Sequence, residues 1–276
     1  MTDTNLHLFH EDQSQWLTLQ RLLRETAQEQ VMGRFRRVQV SYKADGSPVT
    51  EADRAMQQAL AEKLQRQWPL YGFLGEESSC SLQRQVLGTA GGCWVLDPLD
   101  GTTNFTHGFE FFSCSLALVD ASGSVLGLVY DPVRDELFAA RRGLGAEQDG
   151  VALSLHSVPT TLAKALALVD FKRLPPPMAI SLATQPPYAS QRSLGSVALE
   201  WCWMAAGRAD LYLHGGQKLW DYAAGQLIFE EAGGASATLQ GEPIPRHSME
   251  PRSVMAAGSE MLLRAWSRFL SSLHRG

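Results

Sequence analysis

The chain has 276 residues, 45% hydrophobic and 19% charged, a globular composition that suits one large α/β domain or two closely joined halves. Its formal net charge of -5 argues against general nucleic-acid or membrane-surface binding, which needs a basic stripe. An anionic substrate stays open, because a bound cation reverses the sign of a site. The four cysteines, Cys80, Cys93, Cys114 and Cys202, form no CxxC pair and have no His cluster beside them, which argues against zinc. No leader-like h-region or long apolar run appears, so a reducing cytoplasm is the simplest compartment.

Residues 13 to 37 read as an amphipathic helix, with Trp16, Leu19, Leu22, Leu23, Val31 and Phe35 roughly on one side. A second helix follows Thr50, its N-cap, and carries Ala52, Ala55, Met56, Ala59, Leu60 and Leu64. The period then changes. Cys93 to Leu96 is a short buried strand running into Asp97, with Cys93 and Cys114 as core thiols. Ser113 to Val119, Val125 to Tyr130 and Glu136 to Ala139 form an antiparallel meander joined by polar turns. Arg141 to Gly150 is polar and Gly-rich, and a soft border between halves 1–145 and 146–276 falls there. Beyond it come a strand at Ala165 to Asp170, a Pro-rich break at Leu174 to Pro177 and a buried helix at Gly195 to Ala206. A strand at Leu211 to Leu213 and a helix from Asp221 to Ala232, stopped by Gly233-Gly234, follow. A last amphipathic helix spans Met261 to Leu273.

Three segments hold acids that a packed core does not need: Gly75-Glu76-Glu77-Ser78, Asp97-Pro98-Leu99-Asp100-Gly101-Thr102-Thr103-Asn104-Phe105, and Leu219-Trp220-Asp221. In the second, a buried strand carries Asp97 to its C-terminal end, the usual place for ligands in α/β sheets. Asp100 follows one tight turn later, so both carboxylates can reach one point. Gly101 lets a ligand approach the backbone, and Thr102 stands at a helix start suited to an anion. Two carboxylates about 4 Å apart repel by roughly 4 kcal/mol at an effective dielectric of 20. Such a pair calls for a cation, and oxygen-only ligands select a hard one such as Mg²⁺. Taken alone, Asp100-Gly101 fits a plain chain reversal equally well.

The string DPLDGTTNF resembles the signature of the inositol monophosphatase family, DP(I/L)DGTTNF. GEES precedes it, and WDYAAGQLIFEEAGG is similar to the family's C-terminal motif. Lys43 to Asp53 resembles its N-terminal motif, and Tyr130-Asp131-Pro132 and Arg142 to Ala146 also fit, so the resemblance runs from about residue 40 to 235. It implies a layered α/β/α/β/α sandwich of the inositol monophosphatase and fructose-1,6-bisphosphatase type, with Asp221 and the substrate side in the C-terminal half. It implies two or three Mg²⁺ ions. Glu76, Asp97 and the carbonyl of Leu99 would hold the first, Asp97, Asp100 and Asp221 the second, and Glu76 would share a weaker third. Thr102 with Glu76 would orient the attacking water, and Asp53 would support it from behind. The N–H groups of Gly101 and Thr102 would receive the phosphate. Asp53 also fits a capping box with Thr50, and Asp221 fits a helix N-terminal acid.

The implied activity is Mg²⁺-dependent hydrolysis of a small phosphate monoester, sensitive to lithium, in a homodimer. Inositol 1-phosphate is the family default. One departure concerns the substrate: seven residues before Asp221, where inositol-hydrolysing members carry Glu, stands His214. Gly195 and Ser196 resemble the family's substrate-side helix start, and Lys172 and Arg173 near a strand end could meet a second phosphate. A 3'(2'),5'-bisphosphate nucleotidase or a sugar phosphatase is the rival enzyme reading, although the retained Thr103-Asn104-Phe105 counts against the nucleotidase. A regulatory protein on the same fold is the rival of another class. No GxSxG elbow, Walker A loop or HExxH is present.

Overall fold

The computed structural model describes residues 7–37, 40–42, 46, 48–78, 91–156, 158–245 and 249–273. Helices α1 (His7–Glu11), α2 (Gln13–Gln30) and α3 (Glu51–Gln67) form the first layer. Asp12 starts α2 by accepting the N–H of Ser14 at 2.9 Å. The helix buries Trp16, Leu19, Leu23 and Ala27 at helical spacing. It ends at Gln30 rather than near residue 37, because a 3-10 turn at Met32–Arg34 and a left-handed φ of 62° at Arg36 break the repeat. Thr50 caps α3, and Asp53 completes the box by accepting from the N–H of Thr50 at 2.8 Å. A short hairpin of β1 (Val40–Tyr42) and β2 (Pro48–Thr50) leads into it.

The second layer is a seven-stranded sheet in sequential order: β3 (Gly72–Gly75), β4 (Cys93–Asp100), β5 (Ser113–Asp120), β6 (Gly123–Asp131), β7 (Glu136–Arg141), β8 (Ala146–Gln148) and β9 (Val151–Leu153). β3 pairs parallel to β4, and every later pair is antiparallel, the meander expected from short polar turns. The sheet continues through Leu153, past the expected border at residue 145. β4 is longer than the apolar run Cys93 to Leu96, and all of it is buried. It carries Pro98 through an irregularity in its pairing with β5 between Asp97 and Asp100. A bulge tolerates a residue that cannot donate to the ladder, and it turns both acids out of the sheet. The five-residue helix α4 (Thr102–Thr106) follows directly.

α6 (Val197–Ala205) and α7 (Leu219–Glu231) form the third layer, between this sheet and a second one. They pack closely because small residues face large ones. A Cβ on Gly225 would sit 2.6 Å from the Cβ of Trp201, and one on Gly127 would sit 2.8 Å from the backbone of Ala224. The second sheet has the order β11 (Ser190–Arg192), β10 (Leu166–Asp170), β12 (Leu211–Gln217), β14 (Arg252–Ala257), β13 (Ala235–Ala237). β10 runs parallel to both β11 and β12, and the register sets Asp170 opposite His214. α5 (Pro176–Thr184) and α8 (Glu260–Leu273) cover its outer face through Met178, Leu182, Leu262, Trp266 and Leu270. The result is the layered α/β/α/β/α sandwich. Cys93, Cys114 and Cys202 are buried free thiols, while Cys80 lies outside the described residues.

Candidate active site

A cavity of about 350 Å³ opens where the end of β4, the start of α4, the segment before α6, and the ends of β10 and β12 meet. Glu76, Asp97, Asp100, Asp170, Glu200 and Asp221 all line it, together with Arg173 and Lys218. Glu76 follows β3, and its N–H bonds to the carbonyl of Leu96 at 3.0 Å, which sets it beside the exit of β4. Asp97 accepts from the N–H of Leu99 at 3.1 Å. Asp100 accepts at one oxygen from both the Ser196 hydroxyl and the Ala198 N–H, each at 2.7 Å. Asp221 accepts from the N–H of Lys218 at 2.8 Å, at the start of α7.

Burial raises the pKa of Asp97, Asp100 and Asp221, and the neighbouring carboxylates push them further. For Asp97 those neighbours are Glu76, Asp100, Asp221 and Asp53, so residues far apart in the chain share one field. Such a set is oxygen-only, crowded with negative charge and short of positive charge. That is the donor chemistry of a hard divalent cation, so these residues fit Mg²⁺. Among the described residues, no three acids already close on a single point. They stand around the cavity.

Thr102 donates its hydroxyl to the carbonyl of Leu99 at 3.0 Å, with Asp53 Oδ1 3.3 Å away. Asp53 itself lies behind the cavity wall and is pushed up to about 6 by burial, against the opposing bonds from Thr50. It therefore serves the helix cap and touches Thr102 at once. Gly101 has a φ of 93°, and a Cβ there would meet the carbonyl oxygens of Phe111 at 3.1 Å and Gly195 at 3.2 Å. The two halves of the molecule meet at that glycine. Asn104 fastens the contact, because its amide donates to the carbonyls of Phe111 and Leu194, both at 2.7 Å.

The profile of the Inositol monophosphatase family matches residues 12–271, nearly the whole chain. The chain belongs to the inositol monophosphatase family. Among curated members it is 36% identical over 208 residues to the Nus factor SuhB of Pasteurella multocida, covering 74% of this chain and 76% of that one. It is 33% identical over 221 residues to inositol monophosphatase 1 of Sus scrofa, covering 78% of each. Among solved structures, the IMPase of Thermotoga maritima superposes with a TM-score of 0.82 at 25% identity, over 95% of this chain and 98% of that one.

Of the residues that the family motifs pick out, Glu76, Asp97, Leu99, Asp100, Gly101, Thr102, Gly195, His214 and Asp221 all line the cavity. The two residues expected on the substrate side, Ser196 and His214, are almost fully buried. Ser196 is fully buried and does not line the cavity, because its hydroxyl is turned to Asp100. The hydroxyl supports the Asp100 carboxylate. His214 is 1% exposed, with Nε2 sealed from solvent. Its Nδ1 accepts from the N–H of Gly216 at 3.1 Å. Lys43, Ala44, Asp45 and Ser47 of the N-terminal motif lie outside the described residues. Arg142 to Ala146 has a structural use: the N–H groups of Gly143 and Gly145 bond to Glu231 of α7 at 2.7 and 2.9 Å.

The charged residues Asp170, Glu200 and Lys218 also line the cavity, outside the set that the sequence motifs pick out. Asp170 sits at a strand end, next to the flagged pair Lys172-Arg173. Glu200 is a lone acid in the otherwise apolar Val197–Ala205, a signal that pattern reading could have used. Lys218 lies at the mouth of α7, with Nζ 5.1 Å from the centre of the Trp220 ring.

Proposed function

We propose that the protein hydrolyses the phosphate monoester of a small hydroxylated molecule, with Mg²⁺ as cofactor. The observation that carries this reading is the meeting of Glu76, Asp97, Asp100 and Asp221 in one cavity beside Gly101 and Thr102. Glu76, Asp97, the Leu99 carbonyl, Asp100 and Asp221 would hold two or three ions. Mg²⁺ bound there supplies positive charge for the phosphate oxygens and makes water more acidic. The N–H groups of Gly101 and Thr102 seat the phosphate. Thr102, backed by Asp53, and Glu76 orient a water for in-line attack on phosphorus, and the Glu76 carboxylate accepts its proton. The P–O ester bond breaks, and the leaving alkoxide takes a proton from solvent. No covalent enzyme intermediate is involved.

Inositol 1-phosphate is the first candidate substrate, with a sugar phosphate or a 3'(2'),5'-bisphosphate nucleotide next. We read the assembly as a homodimer in the cytoplasm, and sedimentation at micromolar concentration tests the dimer. The net charge of -5 supports a reading without nucleic acid. Among the described residues no helix is long and apolar enough to cross a membrane. A regulatory role on the same fold is the second reading, favoured by the name Nus factor SuhB of one relative. The deciding experiment is phosphate release from inositol 1-phosphate, sugar phosphates, nucleotide 3'-phosphates and NADP. Turnover is expected with Mg²⁺, none after chelation, and inhibition by Ca²⁺ and Li⁺. Full turnover in excess chelator would sink the mechanism, and no turnover with any ester would favour the regulatory reading.

A further inference from the structure

The leaving-group side of the cavity holds an acid that the family motifs do not include. Asp170 ends β10, and its register partner on β12 is His214. Three groups fix its carboxylate. Oδ1 accepts from the N–H of Lys172 at 3.0 Å. Oδ2 takes the guanidinium of Arg173 and lies 3.2 Å from Nε2 of His214, somewhat off the straight line of a hydrogen bond. Because Nδ1 of His214 accepts from Gly216, the imidazole proton sits on Nε2 and faces Asp170. Burial alone would raise the Asp170 carboxyl, but His214 and Arg173 outweigh it and hold it below the usual carboxylate range. Burial also lowers the pKa of His214, so the ring is neutral near pH 7 and tilts the carboxylate without cancelling its charge. Both residues line the cavity, but the Asp170 side chain keeps 16% of its surface exposed and His214 only 1%.

We propose that Asp170 accepts a hydroxyl of the substrate's leaving group, that His214 acts only by positioning Asp170, and that the pair selects neutral polyols. An ionised carboxylate only accepts hydrogen bonds, so it welcomes a hydroxyl and repels a second phosphate. Arg173, the nearby cation, is already paired with Asp170 through Nη1, which offsets part of its attraction for such a phosphate. Strand position 214 thus contributes no acid of its own, and the neighbouring parallel strand supplies one. The inference rests on the phosphomonoesterase reading above.

The test uses the full-length protein with Mg²⁺ and two esters, inositol 1-phosphate and phenyl phosphate, whose leaving group carries no aliphatic hydroxyl. Asp170→Asn is expected to cut kcat/KM for inositol 1-phosphate about tenfold, mainly through KM, and to leave phenyl phosphate within about twofold. His214→Ala is expected to act in the same direction on the polyol ester alone, and to add nothing in the Asp170→Asn background. The phenyl ester doubles as the control for folding. Equal losses on both esters, no loss on either, or an additive effect of His214→Ala would overturn the assignment. So would a wild-type preference for a leaving group bearing a second phosphate, with NADP as the probe. A wild type inactive on every ester would overturn the phosphatase reading first and this inference with it. A wild type active on both esters keeps the two failures apart.

Discussion

Glu200 offers a sharp test of how the cavity is built. It is 4% exposed, and burial pushes its carboxyl up to about 7 from an ordinary 4.5, the charges of Asp100 and Asp170 adding to the shift. The N–H bonds it accepts from Leu194 at 2.9 Å and Gly195 at 3.2 Å oppose that rise without reversing it. The folded state therefore binds a proton that the unfolded state releases, and stability falls as pH rises from 4.5 through 7. A shift of about 2.5 units costs about 3 kcal/mol once both states are ionised. Glu200→Gln keeps an oxygen for the two N–H groups and removes the ionisation. The variant should gain about 1 kcal/mol over the wild type at pH 5 and about 3 kcal/mol at pH 8. The assay is urea unfolding of both proteins in chelator at the two pH values. A stability difference that does not grow with pH, or a variant that loses stability relative to the wild type as pH rises, would refute the burial argument.

Asp97→Asn should lower phosphate release by about a hundredfold or more at saturating Mg²⁺, because it removes a full charge from the centre of the acid cluster; steady-state kinetics on inositol 1-phosphate check it. Gly225→Ala should destabilise the protein by about 1–3 kcal/mol, since the new methyl group meets the Cβ of Trp201 at 2.6 Å, and a thermal melt measures this. Asn104→Ala removes the amide bonds that tie α4 to Phe111 and Leu194, leaving two carbonyls without that donor. It should cost about 1–3 kcal/mol in unfolding and lower kcat/KM, read by denaturation and by phosphate release.

Local chemistry was legible before any coordinates. Trp16 to Ala27 repeats at helical spacing, Thr50 and Asp53 box the start of α3, and the meander follows from alternating apolar runs and polar turns. The acids of Glu76, Asp97, Asp100 and Asp221 stood out because a packed core gives no reason for them. These signals are short-range: a cap, a period or a turn depends on neighbours within a few residues.

Tertiary structure decided the rest. Pro98 stays within β4 because a bulge against β5 accommodates it, and a proline in isolation reads as a strand end. Ser196 turns to Asp100 because α6 delivers its first N–H groups to the end of a strand in the other half of the molecule. Asp170 and His214 reach the same cavity because the parallel register of β10 and β12 sets the two side by side. Strand register and the packing of one sheet's helices on another depend on contacts between segments far apart in the chain. A reading by residue type and spacing therefore named the clustered acids, and the long-range pairing chose which side chains face the cavity.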